Sequence, residues 1–243
     1  MRQVLLAAVF AVVCAPALAE DAKVIAPSLK VGDLWSYDET NESGQSGFLQ
    51  RRLDVSVERV SDASMEIGVK QGGAPTGPQD RVFGLDWSKS RMLDGKETIT
   101  TRPYAFPMTV GQSWAVDYVD PTRRGAQVSV QVRRTYKVVG WEDIQAPAGA
   151  FHALKIEANG ADRSILEVPA TAVSGAAAGS GGATTVTHAE RGGKREIINK
   201  IYEELYYVPE VKNYVKYVHE QYSADGVRLF RQSQMMVSYK VAP

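Results

Sequence analysis

The chain has one cysteine, Cys14, among 243 residues. It can form no internal disulfide and no site built on several thiolates. Histidine is nearly as scarce. His152, His188 and His219 stand at least 31 residues apart. None has a partner at a spacing such as H-x-x-x-H, which would put two ligands on one metal. Neither a metal nor any other cofactor is expected. Net charge is also missing, because 28 Lys and Arg balance 28 Asp and Glu. That balance gives no general pull toward nucleic acid or an anionic membrane. Long apolar runs are absent as well. The one that stands out, Val4 to Val13, is about half the ~20 residues a spanning helix needs. Nor does any internal stretch of about twelve residues repeat with a 3.6-residue period.

The short apolar run has its own meaning. MRQVLLAAVFAVVCAPALA has a basic start at Arg2, an apolar middle, and the small-x-small sequence Ala17-Leu18-Ala19. This pattern predicts a secretory signal peptide over residues 1–19, cleaved after Ala19. A membrane anchor and lipid attachment at Cys14 are the alternatives. Lipid attachment favours a small residue before the cysteine, and Val13 stands there. Cleavage removes Cys14 and Arg2, leaving 27 basic against 28 acidic residues. The remaining chain of about 220 residues is large enough to bury a core without disulfide staples. The expected location is periplasmic or secreted, with no stable membrane insertion of the mature chain.

A period of two dominates the rest. Val128, Val130, Val132, Tyr136 and Val138 share one strand face, with Arg134 as the exception. Gln127, Ser129, Gln131, Arg133, Thr135 and Lys137 share the other. Such alternation predicts one packed and one wet face. Leu53-Val55-Val57 and Met65-Ile67-Val69 alternate likewise. Near the end, Val227, Leu229, Met235, Val237 and Tyr239 read as one face, interrupted by Arg231 and Ser233. Residues 190–206 are charged enough for a helix, but Ile197, Ile198, Ile201, Tyr202 and Tyr206 favour a strand. Asp225-Gly226 predicts a two-residue hairpin. The expected fold is all-β: a single domain over residues 20–243, with about nine to twelve strands in a large curved antiparallel sheet, open half-barrel or sandwich-like. Ala170 to Thr185, an Ala/Gly/Ser run, is expected to be a flexible loop.

Motifs of known chemistry fail on inspection. Gly111-Gln112-Ser113-Trp114-Ala115 lacks the last glycine of G-x-S-x-G. Trp114, Val116 and Tyr118 continue as a strand where a nucleophile elbow needs a helix. Gly192-Gly193-Lys194-Arg195 lacks the earlier glycine and the following Ser/Thr of a phosphate loop. Glu203 and Glu204 are adjacent, so on a strand they point to opposite faces. No catalytic residue is nominated, and an enzyme is not the expected reading. A transmembrane barrel fits poorly, because Arg59, Arg134 and Arg231 interrupt the apolar faces.

Four segments carry a resemblance. They are VGDLWSY from Val31, FPMTVGQSW from Phe106, EDIQAPAGAFHALKIE from Glu142 and YYVPEVKNYVKY from Tyr206. Together they resemble uncharacterised secreted bacterial proteins grouped as domain-of-unknown-function or TapB-like families, with VPAGTF and WYSPEV motifs. This chain departs from that pattern at Ala146, Ala150 and Tyr207, and the run at 170–185 has no counterpart in it. The resemblance implies a periplasmic β-rich fold without an established activity. Its motif residues are Trp35, Trp114, Pro147, Gly149, Phe151, Tyr207, Pro209 and Glu210, and they make sense as structure. Pro147 and Gly149 suit a turn. Pro209 breaks a strand. Trp35 and Trp114 suit a core. Phe151, Leu154 and Ile156 need not share one face, and a bulge is expected near His152.

The late tyrosines (Tyr202, Tyr206, Tyr207, Tyr214, Tyr217 and Tyr222) offer apolar area with polar tips, which suits a binding surface. The functional expectation is a non-enzymatic exported protein holding an apolar ligand or partner segment on a concave sheet face. The alternative is a structural or interaction module for another cell-envelope protein.

Overall fold

The computed structural model describes residues 23–44, 47–72, 77–121, 123–168, 171–179, 182–190 and 192–243, with backbone alone over 171–179 and 182–190. The expected signal peptide, Cys14 and the Ala19 cleavage site lie outside them. Four strands lead: β1 (Leu34–Ser43), β2 (Gly47–Val60), β3 (Ser64–Gln71) and β4 (Gln79–Gly84). A short hairpin follows, β5 (Lys89–Leu93) and β6 (Lys96–Thr101). Next come β7 (Ser113–Asp120), β8 (Gln127–Ala146), β9 (Gly149–Val168), β10 (Thr171–Gly179), β11 (Gly182–Glu190) and β12 (Gly193–Val208). After a 3-10 turn at Pro209–Val211 the chain ends in β13 (Asn213–Tyr222) and β14 (Arg228–Lys240). No helix among the described residues is long and apolar enough to cross a membrane.

Ten strands form one antiparallel sheet in the order β4-β3-β2-β1-β14-β13-β12-β9-β8-β7. The sheet does not close: β4 and β7 are its two edges. It curves strongly, because β3 and β8, far apart in that order, line one cavity through Ile67 and Tyr136. The gap between the edges is crossed by β5–β6 and the loop after it. Arg91 of β5 donates to Asp120 of β7 at 2.7 Å. The Trp114 indole N–H of β7 donates to the Arg102 carbonyl at 2.8 Å. The hairpin and loop act as a strap holding the two edges near one another.

The alternation of β8 appears as expected, with Arg134, Tyr136 and Val138 buried and Arg133, Thr135 and Lys137 exposed. Residues 193–208 are a strand, as their β-branched and aromatic content predicts. Of the run at 170–185, expected as a flexible loop, residues 171–179 lie in β10 and 182–185 in β11, which pair antiparallel, and residues 170, 180 and 181 lie outside the described residues. That pair keeps the β9–β12 register, since Val168 faces Gly193 and Thr171 faces Glu190.

Three local expectations are corrected. The inward face of β14 is Gln232, Gln234 and Met236, not the face of Met235, Val237 and Tyr239. The two glutamines turn inward because a buried acid on β1 needs their amides. The hairpin at Asp225-Gly226 closes with five residues, because Tyr222 pairs with Arg228. Ser223 holds that longer loop, accepting from the Val227 N–H at 3.0 Å. No register shift lies near His152; the nearby one is at Val138/Gly140. Phe151 therefore faces away from Leu154 and Ile156 on the pleat.

Two of the four segments that carry the resemblance, from Val31 and from Tyr206, meet at one place. Trp35 is fully buried, and its indole N–H donates to the Val211 carbonyl at 2.8 Å. Trp87 packs edge-on against Trp35, 5.4 Å between centroids, and donates to the Lys212 carbonyl at 3.2 Å. Asp33 is buried beneath them. Its carboxylate accepts from the Lys30 N–H at 3.0 Å, the Lys212 ammonium at 3.2 Å and the Ala242 N–H at 2.7 Å. Pro209 ends the β12 ladder and starts the 3-10 turn, which closes on Lys212 in the left-handed region, φ 64°.

Candidate functional site

The concave face encloses a cavity of about 450 Å³, within the ~300–1,000 Å³ usual for small-molecule sites. One wall is Leu53 and Val55 of β2 with Ile67 and Val69 of β3. The opposite wall is Tyr136 of β8 and Leu205 of β12. Trp87, from the turn between β4 and β5, and Tyr104, from the loop after β6, cover it. Period-two alternation builds these walls, since each strand gives every second side chain to the interior. The Tyr104 hydroxyl is buried and meets no partner at good hydrogen-bond geometry.

One side of the cavity is polar. Glu39 of β1 is 1% exposed. Its carboxylate accepts from the Arg51 Nε at 2.6 Å and the Asn41 amide at 2.9 Å. It also accepts from the amides of Gln232 at 2.7 Å and Gln234 at 2.5 Å. A buried acid without such partners would cost several kcal/mol. The Tyr214 hydroxyl donates to the free side of the Gln234 amide at 2.5 Å. Burial, followed by the Glu39 charge, holds the Tyr214 phenol well above its ordinary range.

A second polar group comes from β8, β9, β12 and β13. Arg134, 8% exposed, lies 2.8 Å from Asp162 and 4.0 Å from Glu203. Glu203 also meets the His219 Nδ1 at 3.0 Å. Burial, then Glu203, pushes the phenols of Tyr136 and Tyr217 upward. A glycine makes the arrangement possible. A Cβ on Gly160 would collide with the Arg133 carbonyl oxygen and come within 2.9 Å of Arg134 Cδ. Gly160→Ala is therefore expected to cost about 1–3 kcal/mol. Urea denaturation checks this, and an unchanged midpoint would show that Arg134 has room to spare.

Two cations line the cavity at the β4 edge of the sheet, Arg81 of β4 and Lys89 of β5. The Lys89 ammonium lies 4.4 Å over the Phe83 ring. Burial, then the Arg81 charge, lowers its pKa. This constellation suits binding. It has an apolar trough, amides and phenols for orientation, and charge at the rim. Among the described residues, no three His, Cys, Asp or Glu side chains form a group able to hold a metal.

The residues singled out in the sequence are placed unevenly. Trp35 and Tyr207 are buried in the core. Tyr207 packs between Tyr104 and Phe106, at 4.8 and 5.5 Å. Trp114 is half-buried and stacks on Tyr136 at 5.4 Å. Pro147 opens the two-residue β8–β9 turn, and Gly149, with φ 137°, is the first residue of β9. Phe151 is half-buried, 6.1 Å from the Tyr239 ring. Pro209 and Glu210 belong to the 3-10 turn, with Glu210 exposed. None of the eight lines the cavity. Of the late tyrosines, Tyr214 and Tyr217 do. The cavity residues Glu39, Arg51, Gln234, Arg81 and Lys89 carry no local signature. Arg134, beside the trough, is the exception, as a charge in an apolar register.

No family model matches the chain, and no curated protein matches it. Solved structures with a similar trace exist. A proposed lipoprotein of Parabacteroides distasonis aligns over 90% of this chain and all of its own, at 16% identity and TM-score 0.46. A proposed exported protein with a YmcC-like fold from Bacteroides fragilis aligns over 90% and 100%, at 14% identity and TM-score 0.38. The hypothetical lipoprotein YmcC of Escherichia coli aligns over 86% and 85%, at 9% identity and TM-score 0.33.

Proposed function

We propose that this chain is a non-enzymatic exported protein that holds an apolar ligand in the trough of its curved sheet. The carrying observation is the cavity of about 450 Å³, walled by aliphatic and aromatic side chains from both arms of the sheet. A purely structural sheet would fill that space, since interiors pack to crystal density. The signal-like residues 1–19 and the likeness of the four motifs to TapB-like proteins support a periplasmic or secreted location. Burying a chain of methylenes contributes about 0.8 kcal/mol per CH₂, enough to hold a lipid without covalent chemistry. Val69 lines the wall and is half-buried, so Val69→Trp would fill the trough with little disturbance of the core. An uncharged naphthylamine dye that brightens in apolar surroundings should bind the wild type. Val69→Trp should weaken it about tenfold or more, equivalent to about 1.4 kcal/mol, while the thermal melt stays near that of the wild type. Absence of dye binding, with no lipid extracted from the purified protein, would sink the proposal.

A further inference from the structure

The charge arrangement of the trough goes further than its shape, and the step taken here rests on the trough being a binding site. Its two acids are engaged within the protein. Glu39 is held by Arg51 and three amides, and Glu203 by His219 and Arg134. Its cations are not balanced in the same way. Arg51 is committed to Glu39 at 2.5 Å. Arg81 and Lys89 have no carboxylate within ion-pair distance among the described residues, although both line the cavity. Lys89 is partly desolvated against the face of Phe83. Two like charges placed together at an apolar surface repel one another and are stabilised by an anion between them. From Phe83 on the edge strand β4, the lining runs across the sheet through Ile67 and Val69 of β3 and Leu53 of β2 to Gln234 of β14 and Tyr214 of β13.

We infer that the ligand is an anionic single-chain amphiphile, its acidic head between Arg81 and Lys89 and its hydrocarbon chain along β2 and β3. Charge complementarity selects the head, and the apolar wall accepts the tail. Positively charged and neutral amphiphiles of equal length lack the first contact. Charge-assisted hydrogen bonds from a guanidinium and an ammonium make the difference a large one.

Three probes of one chain length test this: dodecanoate, dodecanol and dodecyltrimethylammonium, each displacing the uncharged dye from the full protein. Dodecanoate should compete best, by about tenfold over dodecanol. The double variant Arg81→Gln/Lys89→Gln should lose that advantage, so that dodecanoate and dodecanol compete equally. Arg81→Gln alone, on an exposed edge position, should lose part of it and serves if the double variant folds poorly. Equal competition by dodecanoate and dodecanol, or preference for the ammonium, would overturn the anionic head while leaving the apolar trough standing. Failure of the dye and of all three probes would overturn both.

Discussion

Raising the pH above 10 should unfold this protein abruptly, with its tyrosines ionising in the same step. Tyr37, Tyr104, Tyr136 and Tyr207 are buried to within 3% exposure. Burial is the first cause that raises each phenol, and neighbouring tyrosines or carboxylates add to it. The unfolded chain ionises near pH 10 while the native state keeps these protons. The native state thus binds more protons through this window, and stability falls as pH rises. The contribution is fully present below pH 10 and is lost on the way to the raised native values. Each such phenol removes about 1.4 kcal/mol per pH unit, so four together remove roughly 5–6. Domains of this kind have about 5–15 kcal/mol in hand, and one to three units of pH exhaust it. Tyrosinate absorbance and far-ultraviolet circular dichroism should therefore change together. If most tyrosines ionised with a midpoint near 10 while the sheet stayed folded, the account of their burial would be wrong.

Asp33→Ala should cost about 3–5 kcal/mol, the usual loss when one partner of a buried ion pair is removed. The substitution leaves the Lys212 ammonium without its carboxylate and the Ala242 N–H without its acceptor. It also loosens the segment that presents its carbonyls to Trp35 and Trp87. Adding Lys212→Met should recover part of the loss, because the stranded charge is then gone. A double-mutant cycle by chemical denaturation measures this coupling. Additive losses would mean that Asp33 acts only through the two backbone N–H groups.

Much of the sheet was legible because its strands are half-wet. β8 repeats wet and dry side chains over a long stretch, and water on one face leaves that imprint. The β14 face was misread for a physical reason. Gln232 and Gln234 look like solvent residues until Glu39, on a strand distant in sequence, is placed opposite them. The strap was missed because β4–β6 are short and mostly exposed. Its one signal is Asp94-Gly95, two adjacent residues with positive φ joining Leu93 to Lys96. The trough shows least in sequence. Arg134, Asp162, Glu203 and His219 come from four strands, and only tertiary pairing brings them together. What sequence does show is the anomaly: Arg134 sits in an apolar register, and such a charge asks for a buried partner.

The β1–β14 seam has a consequence for how the molecule is made. Leu34 pairs with Lys240, so the first long strand synthesised waits for the last. Most of the sheet on either side of that seam pairs consecutive strands, such as the β1-β2-β3-β4 meander, and only β12 skips two strands, to pair with β9. The seam itself joins distant parts of the chain, and such contacts form slowly. Until it zips, β1 is an open edge carrying Trp35 and Tyr37, the kind of surface that pairs with a neighbouring chain.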